Sequence, residues 1–150
     1  MKNEKFDEVI NFAIEREREA AQFYHDMQNL SKTNSAKEAF RELEYMEVGH
    51  IAMLKNLTKD DVKKFVPPNI LNLKISDYME QPVANDNPSY QDAIKLAIKR
   101  EENALNLYNA LADDSTDENA KSLFLRIATE EAKHKLMLES LYDEEFLKEN

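Results

Sequence analysis

The sequence has no cysteine, one glycine and four prolines in 150 residues. Without cysteine, disulfides, thiolate-bound zinc, iron–sulfur clusters and thiol catalysis are excluded. Turn-forming residues are too scarce for many strands, and with 33% charged residues the chain reads as mostly helical. No apolar run is long enough to span a membrane, and the N-terminal MKNEKFDEVINF has no apolar signal core. A soluble, cytoplasmic protein is therefore expected. Basic residues are also in the minority: 20 Lys and Arg against 30 Asp and Glu give a formal net charge of −10. Such a balance argues against nucleic acid or an anionic membrane surface as a partner. The length suits one domain with a hydrophobic core.

What the sequence does have is an internal repeat. Residues 10–57 align without a gap on residues 94–141, an offset of 84, with 16 of 48 positions identical. The matches include Ala13/Ala97, Glu17/Glu101, Tyr24/Tyr108, Phe40/Phe124, Glu47/Glu131, His50/His134 and Leu54/Leu138. Two of the three histidines are among them.

Each half reads as a helical hairpin. Helices are predicted from about Glu4 to Leu30 and, after the polar break SKTNS, from about Ser35 to Thr58. The third begins near NPSYQDA, where Ser89 and Asp92 resemble a capping box, and ends near DDSTD; the fourth runs from about Glu118 to Leu147. All four prolines, Pro67, Pro68, Pro82 and Pro88, fall between the halves, where they interrupt no helix. The expected architecture is all-α: a four-helix bundle in which hairpins 4–58 and 89–147 are joined by a crossover over about 59–88. Phe65, Ile70, Leu73 and Ile75 are expected to pack that crossover on the bundle.

Apolar residues spaced three and four apart mark the face that each helix turns inward. The first stripe is Ile10, Ala13, Glu17, Ala20, Tyr24, Met27, and the third is Ile94, Ala97, Glu101, Ala104, Tyr108, Leu111. The second runs Phe40, Leu43, Glu47, His50, Leu54, and the fourth Phe124, Ile127, Glu131, His134, Leu138. Every stripe is broken at mid-length by Glu or by Glu-x-x-His. A buried, unpaired carboxylate is costly, and no Lys or Arg stands in these stripes to offset four of them. Two divalent cations would cancel the four charges, with two neutral imidazoles completing the ligand set. Residues at i and i+3 share a helix face, so each Glu-x-x-His can address one cluster.

These residues carry a family resemblance. AIEREREAAQFY and LAIKREENALNLY, with FRELEYMEVGH and FLRIATEEAKH, resemble the rubrerythrin-type diiron domain of the ferritin-like superfamily. The resemblance implies two iron ions per chain, with manganese, zinc or cobalt as substitutes. It implies Glu47 and Glu131 as bridging ligands, Glu17 and Glu101 as terminal carboxylates, and His50 and His134 on one metal each. Tyr24 and Tyr108 would orient carboxylates, the alternative being ordinary core packing. The chain departs from rubrerythrins proper at Ala104, where they carry a further carboxylate, and in lacking a Cys-ligated rubredoxin module.

The implied activity is a di-iron oxidoreductase that reduces H2O2 or O2 with an external electron-donor protein. The alternatives are an iron-handling, ferroxidase or metal-binding protein without catalytic turnover, and a structural helical bundle. A homodimer is implied by resemblance alone. His25 lies off the ligand stripe and reads as a surface residue. Glu15, Glu19, Glu102 and Glu130 flank ligands and are expected to project elsewhere. Gly49 costs its helix about 1 kcal/mol against Ala; the alternatives are close helix approach, room for a small molecule, and neutral drift.

Overall fold

The computed structural model describes residues 4–60 and 89–147. The described residues form helices α1 (Glu4–Leu30), α2 (Asn34–Asp60), α3 (Tyr90–Asp114) and α4 (Glu118–Tyr142), followed by a π-helical turn, Asp143–Leu147. α1 packs along α2, and α3 along α4, as two hairpins. The expected crossover lies outside the described residues, apart from positions 59 and 60, which belong to α2. Its four prolines and its apolar residues lie outside them as well.

The repeat is visible in the turns. Ser31 Oγ donates to Met27 O and Ser115 Oγ to Leu111 O, each at 2.7 Å, closing the last turns of α1 and α3. Thr33 Oγ1 accepts from Ala36 N–H at 3.1 Å, and Asp117 Oδ2 from Ala120 N–H at 2.9 Å, capping orphan donors of α2 and α4. Ser89 caps α3 by accepting from Asp92 N–H at 3.1 Å, on the residues expected to form the box.

The fourth helix was expected to run unbroken to Leu147. Instead it changes to the wider π-helical turn after Tyr142. In that turn the Phe146 ring packs 5.2 Å from that of Tyr142 and 5.8 Å from that of Tyr90.

The core is divided in two. One cluster joins Phe6, Ile10 and Ala13 of α1 to Leu54 of α2, Leu111 of α3 and Phe124 of α4. The other joins Tyr24, Met27, Phe40, Leu43, Ile94 and Leu138. The start of α1 thus meets the end of α3, and the start of α2 the end of α4, so each hairpin lies reversed against the other. Repeat-related rings take equivalent places: Tyr24 stacks on Phe40 and Tyr108 on Phe124, with centroids 6.1 and 6.4 Å apart. Between the clusters sits a polar layer at the mid-length of all four helices.

Candidate metal centre

That layer consists of the six residues that break the apolar stripes. Glu17 and Glu101 enter it from α1 and α3, Glu47 and His50 from α2, and Glu131 and His134 from α4; all six are buried. Their ligand atoms fall into two groups. Glu17, Glu47, His50 and Glu131 offer four atoms that lie within 4.8 Å of one another, as do Glu47, Glu101, Glu131 and His134. Glu47 and Glu131 belong to both groups. Each remaining carboxylate and each imidazole belongs to one. The two imidazoles lie stacked, with centroids 6.0 Å apart.

The hydrogen bonding of these atoms is incomplete. Glu17 Oε2, Glu47 Oε1, His50 Nδ1, Glu101 Oε2, Glu131 Oε1 and His134 Nδ1 are buried and make no hydrogen bond among the described residues. Each of the six residues therefore turns into the layer one atom without a well-formed hydrogen bond, although the atoms crowd together, with Glu47 Oε1 3.0 Å from His134 Nδ1. Buried polar groups are normally satisfied, and donor atoms that converge from four helices without hydrogen-bond geometry fit cation ligation. Nitrogen and carboxylate oxygen donors suit iron, manganese or zinc.

Residues 7–144 match the ferritin-like domain family. The chain belongs to the ferritin-like family. A ferritin-like diiron-carboxylate protein from Thermotoga maritima has a similar fold, with a TM-score of 0.72 at 19% identity over 96% of each chain. A hypothetical protein from Pyrococcus furiosus gives a TM-score of 0.69 at 28% identity, over 92% of this chain and 88% of that one. No curated protein matches the sequence. The four-helix architecture expected from the repeat is thus the ferritin-like bundle.

The electrostatics of this ferritin-like layer show how much charge it holds. Burial works against a cation at His50, yet Glu131 and Glu17 outweigh it and raise the imidazole to about 11. The same contest at His134, won by Glu101 and Glu131, ends at about 9. Four ionised carboxylates would leave the layer negative even with both imidazoles charged. Burial, and then the neighbouring Glu131, hold Glu47 and Glu101 well above the usual carboxylate range. Glu131 goes the other way: burial opposes its charge, but His134 and His50 lie against it and keep it ionised. Glu131 Oε1 is 3.1 Å from His50 Nδ1 and 3.3 Å from His134 Nδ1.

Tyr24 and Tyr108 tie the hairpins together. Tyr24 of α1 donates to Glu101 Oε1 of α3 at 2.5 Å, and Tyr108 of α3 donates to Glu17 Oε1 of α1 at 2.7 Å. Glu17 and Glu101 thus each have one oxygen satisfied by a phenol and the other left without a hydrogen bond among the described residues. Burial and the nearby carboxylates push both phenols well above their ordinary value, so they remain donors.

Glu130 departs from expectation. It does not project away from the layer, because its Oε2 lies 3.3 Å from His50 Nε2, across the hairpin boundary. An imidazole with a carboxylate behind Nε2 presents Nδ1 to the layer. The signal available in the sequence was asymmetry: the repeat partner of Glu130 is Met46. Glu15, Glu19 and Glu102 pair instead with Arg18, Arg16 and Lys99. His25 is exposed and sits 3.1 Å from Glu44 Oε2. Among the described residues, nothing lies within 4 Å of a Cβ added to Gly49, so close helix approach does not explain it.

Proposed function

We propose that the chain is a di-iron carboxylate oxidoreductase that reduces hydrogen peroxide or dioxygen, with electrons drawn from an external donor protein. The observation that carries this reading is the sharing of Glu47 and Glu131 between two four-atom groups. That sharing suits two ions, and the Thermotoga maritima protein of similar fold is described as a diiron-carboxylate protein. In this reading Glu47 and Glu131 serve both ions. Glu17 with His50 completes one ligand set, and Glu101 with His134 the other.

When bound, the pair of ions supplies two electrons, one from each Fe(II), which with two protons convert hydrogen peroxide to two waters. The protein's own part is arrangement. Tyr24 and Tyr108 hold protons on their hydroxyls and fix one oxygen of Glu101 and Glu17. Glu130 keeps a proton on His50 Nε2, leaving Nδ1 to the ligand cluster. The apolar clusters on either side exclude water and keep the carboxylates strong ligands. These 150 residues hold no cysteine for a second, thiolate-bound redox centre, which favours a separate electron donor.

The test is an anaerobic Fe(II) titration followed by hydrogen peroxide or dioxygen. Two tightly bound irons per chain, oxidised by either oxidant and repeatedly turned over with a reductant, is the expected result. Oxidation that stops after one round would assign the chain to iron handling. Failure to bind iron would leave only a helical bundle with a polar layer.

A further inference from the structure

A line of aromatic rings leads away from the ligand layer toward one end of the bundle. It starts at Tyr24, whose hydroxyl is bonded to Glu101. From there each ring follows the one before it: Phe40 at 6.1 Å between centroids, Tyr90 at 6.5 Å, Phe146 at 5.8 Å and Tyr142 at 5.2 Å. Successive π systems at such spacing let single electrons pass, and phenols are the links that can be oxidised. The repeat does not continue the line on the other side. Tyr108 stacks on Phe124 as Tyr24 does on Phe40, but the positions 84 residues before Tyr90 and Tyr142 hold Phe6 and Thr58.

Tyr90 carries a hydroxyl that packing does not require. Tyr90 packs against the second apolar cluster, and Phe6, its repeat counterpart, belongs to the first with no polar atom on its ring. The Tyr90 hydroxyl oxygen is buried and makes no well-formed hydrogen bond among the described residues, and both oxygens of Glu145 are in the same state. Buried polar atoms left so are uncommon, and a redox role is one reason for keeping them. Glu145 nevertheless acts on the phenol. Burial, and then the Glu145 carboxylate, push Tyr90 well above its ordinary value. The hydroxyl thus keeps its proton at rest and has a carboxylate at hand to take that proton on oxidation. Tyr142 is the poorer seat for a radical, because Lys95 Nζ lies 5.8 Å from its ring and a cation there opposes loss of an electron.

We propose that Tyr90 is a redox-active residue that passes single electrons to the ligand layer, with Glu145 as its proton acceptor. Oxidation of Tyr90 breaks its O–H bond. The electron leaves through the Phe40 and Tyr24 rings, the proton passes to Glu145, and a neutral phenoxyl remains. The occasion is a half-loaded site. Hydrogen peroxide takes two electrons and two protons to become two waters, and one Fe(II) supplies only one of the electrons. Tyr90 supplies the other, so that no hydroxyl radical is released. The external donor then returns one electron to the phenoxyl, and Glu145 returns the proton. The identity of the oxidant rests on the di-iron reading, while the line of rings and the pairing of Tyr90 with Glu145 stand on their own geometry.

The experiment loads the protein anaerobically with one Fe(II) per chain, adds hydrogen peroxide and freezes it for electron paramagnetic resonance. Wild type is expected to give a tyrosyl radical that Tyr142→Phe keeps and Tyr90→Phe loses. In Glu145→Gln the radical should form at least about tenfold more slowly, because its proton acceptor is gone. A second arm needs no iron: flash-generated ruthenium(III) tris-bipyridine oxidises the metal-free protein, and phenoxyl absorption is followed. There Tyr90→Phe should lower the phenoxyl yield, and Glu145→Gln should slow its formation. No radical in wild type shown to hold one Fe(II) per chain, a signal unchanged in Tyr90→Phe, or equal formation rates in wild type and Glu145→Gln overturns the inference. Phenoxyl formed at Tyr90 in a metal-free protein that takes up no iron would instead overturn the di-iron reading, and the peroxide assignment with it.

Discussion

Tyr24 and Glu101 lie 77 residues apart in sequence, yet the phenol donates to the carboxylate at 2.5 Å inside the polar layer. The bond crosses from one hairpin to the other, and Tyr108 returns it to Glu17 at 2.7 Å. Removing either hydroxyl leaves a buried carboxylate oxygen without a donor. Tyr24→Phe and Tyr108→Phe should each lower unfolding free energy by about 1–3 kcal/mol. Chemical denaturation of the metal-loaded protein measures this; no change in either variant would assign the tyrosines to packing alone.

The sharing of Glu47 and Glu131 predicts unequal consequences for the four carboxylates. Glu47→Gln touches both ligand groups, whereas Glu17→Gln leaves Glu47, Glu101, Glu131 and His134 intact. Metal analysis after dialysis should find tight binding lost in Glu47→Gln, and about one ion per chain kept in Glu17→Gln. Equal losses in the two variants would contradict the shared arrangement.

Glu130 has no counterpart behind His134, because the repeat places Met46 there. If two ions bind as proposed, Glu130→Ala should weaken the one held by His50 by about 10–100-fold in affinity and spare the other. Cobalt(II) titration followed by visible absorption resolves the two steps. A uniform loss in both steps would show that Glu130 acts on the whole bundle and not through His50.

Without metal, stability should fall as pH rises. His50 and His134, at about 11 and about 9, bind protons more tightly folded than at their ordinary 6.5. Their contribution is complete below pH 6.5 and is lost as pH climbs through the higher values. Glu47 and Glu101, raised well above 4.5, carry the same sign and begin to lose their contribution above that pH. Glu131, held low, has the opposite sign, and its contribution disappears only in acid. Melting of chelator-treated protein should give a lower Tm at about pH 9 than at about pH 6. An equal or higher Tm at the alkaline end would refute this. Metal binding releases those protons, so metal affinity should rise over the same range.

Gly49 offers a prediction on stability alone. A Cβ there meets nothing within 4 Å among the described residues. Gly49→Ala should stabilise α2 by about 1 kcal/mol, seen as a raised Tm. A lowered Tm would show that the position needs its missing side chain.

Much of this was legible in the sequence because it depends on local periodicity. An apolar stripe at helical spacing puts Glu17, Glu47, His50, Glu101, Glu131 and His134 on inward faces wherever their helices happen to lie. The repeat then puts all six at one level, and the four helices appear close to their expected limits. The end of the fourth helix did not follow, because the turn carrying Phe146 is fixed by the rings of Tyr90 and Tyr142, one of them on another helix. Glu130 was misjudged for a related reason. Its position on its own helix says nothing about His50, which approaches from the other hairpin.

The sequence by itself determined the helices, their inward faces and the charge that those faces must accommodate. Only the tertiary structure decided which partners meet: Tyr24 with Glu101, Tyr108 with Glu17, and Glu130 with His50. Side-chain spacing along one helix follows from its own backbone geometry. The register between two hairpins follows from how their packed faces fit, which no single stretch of sequence contains.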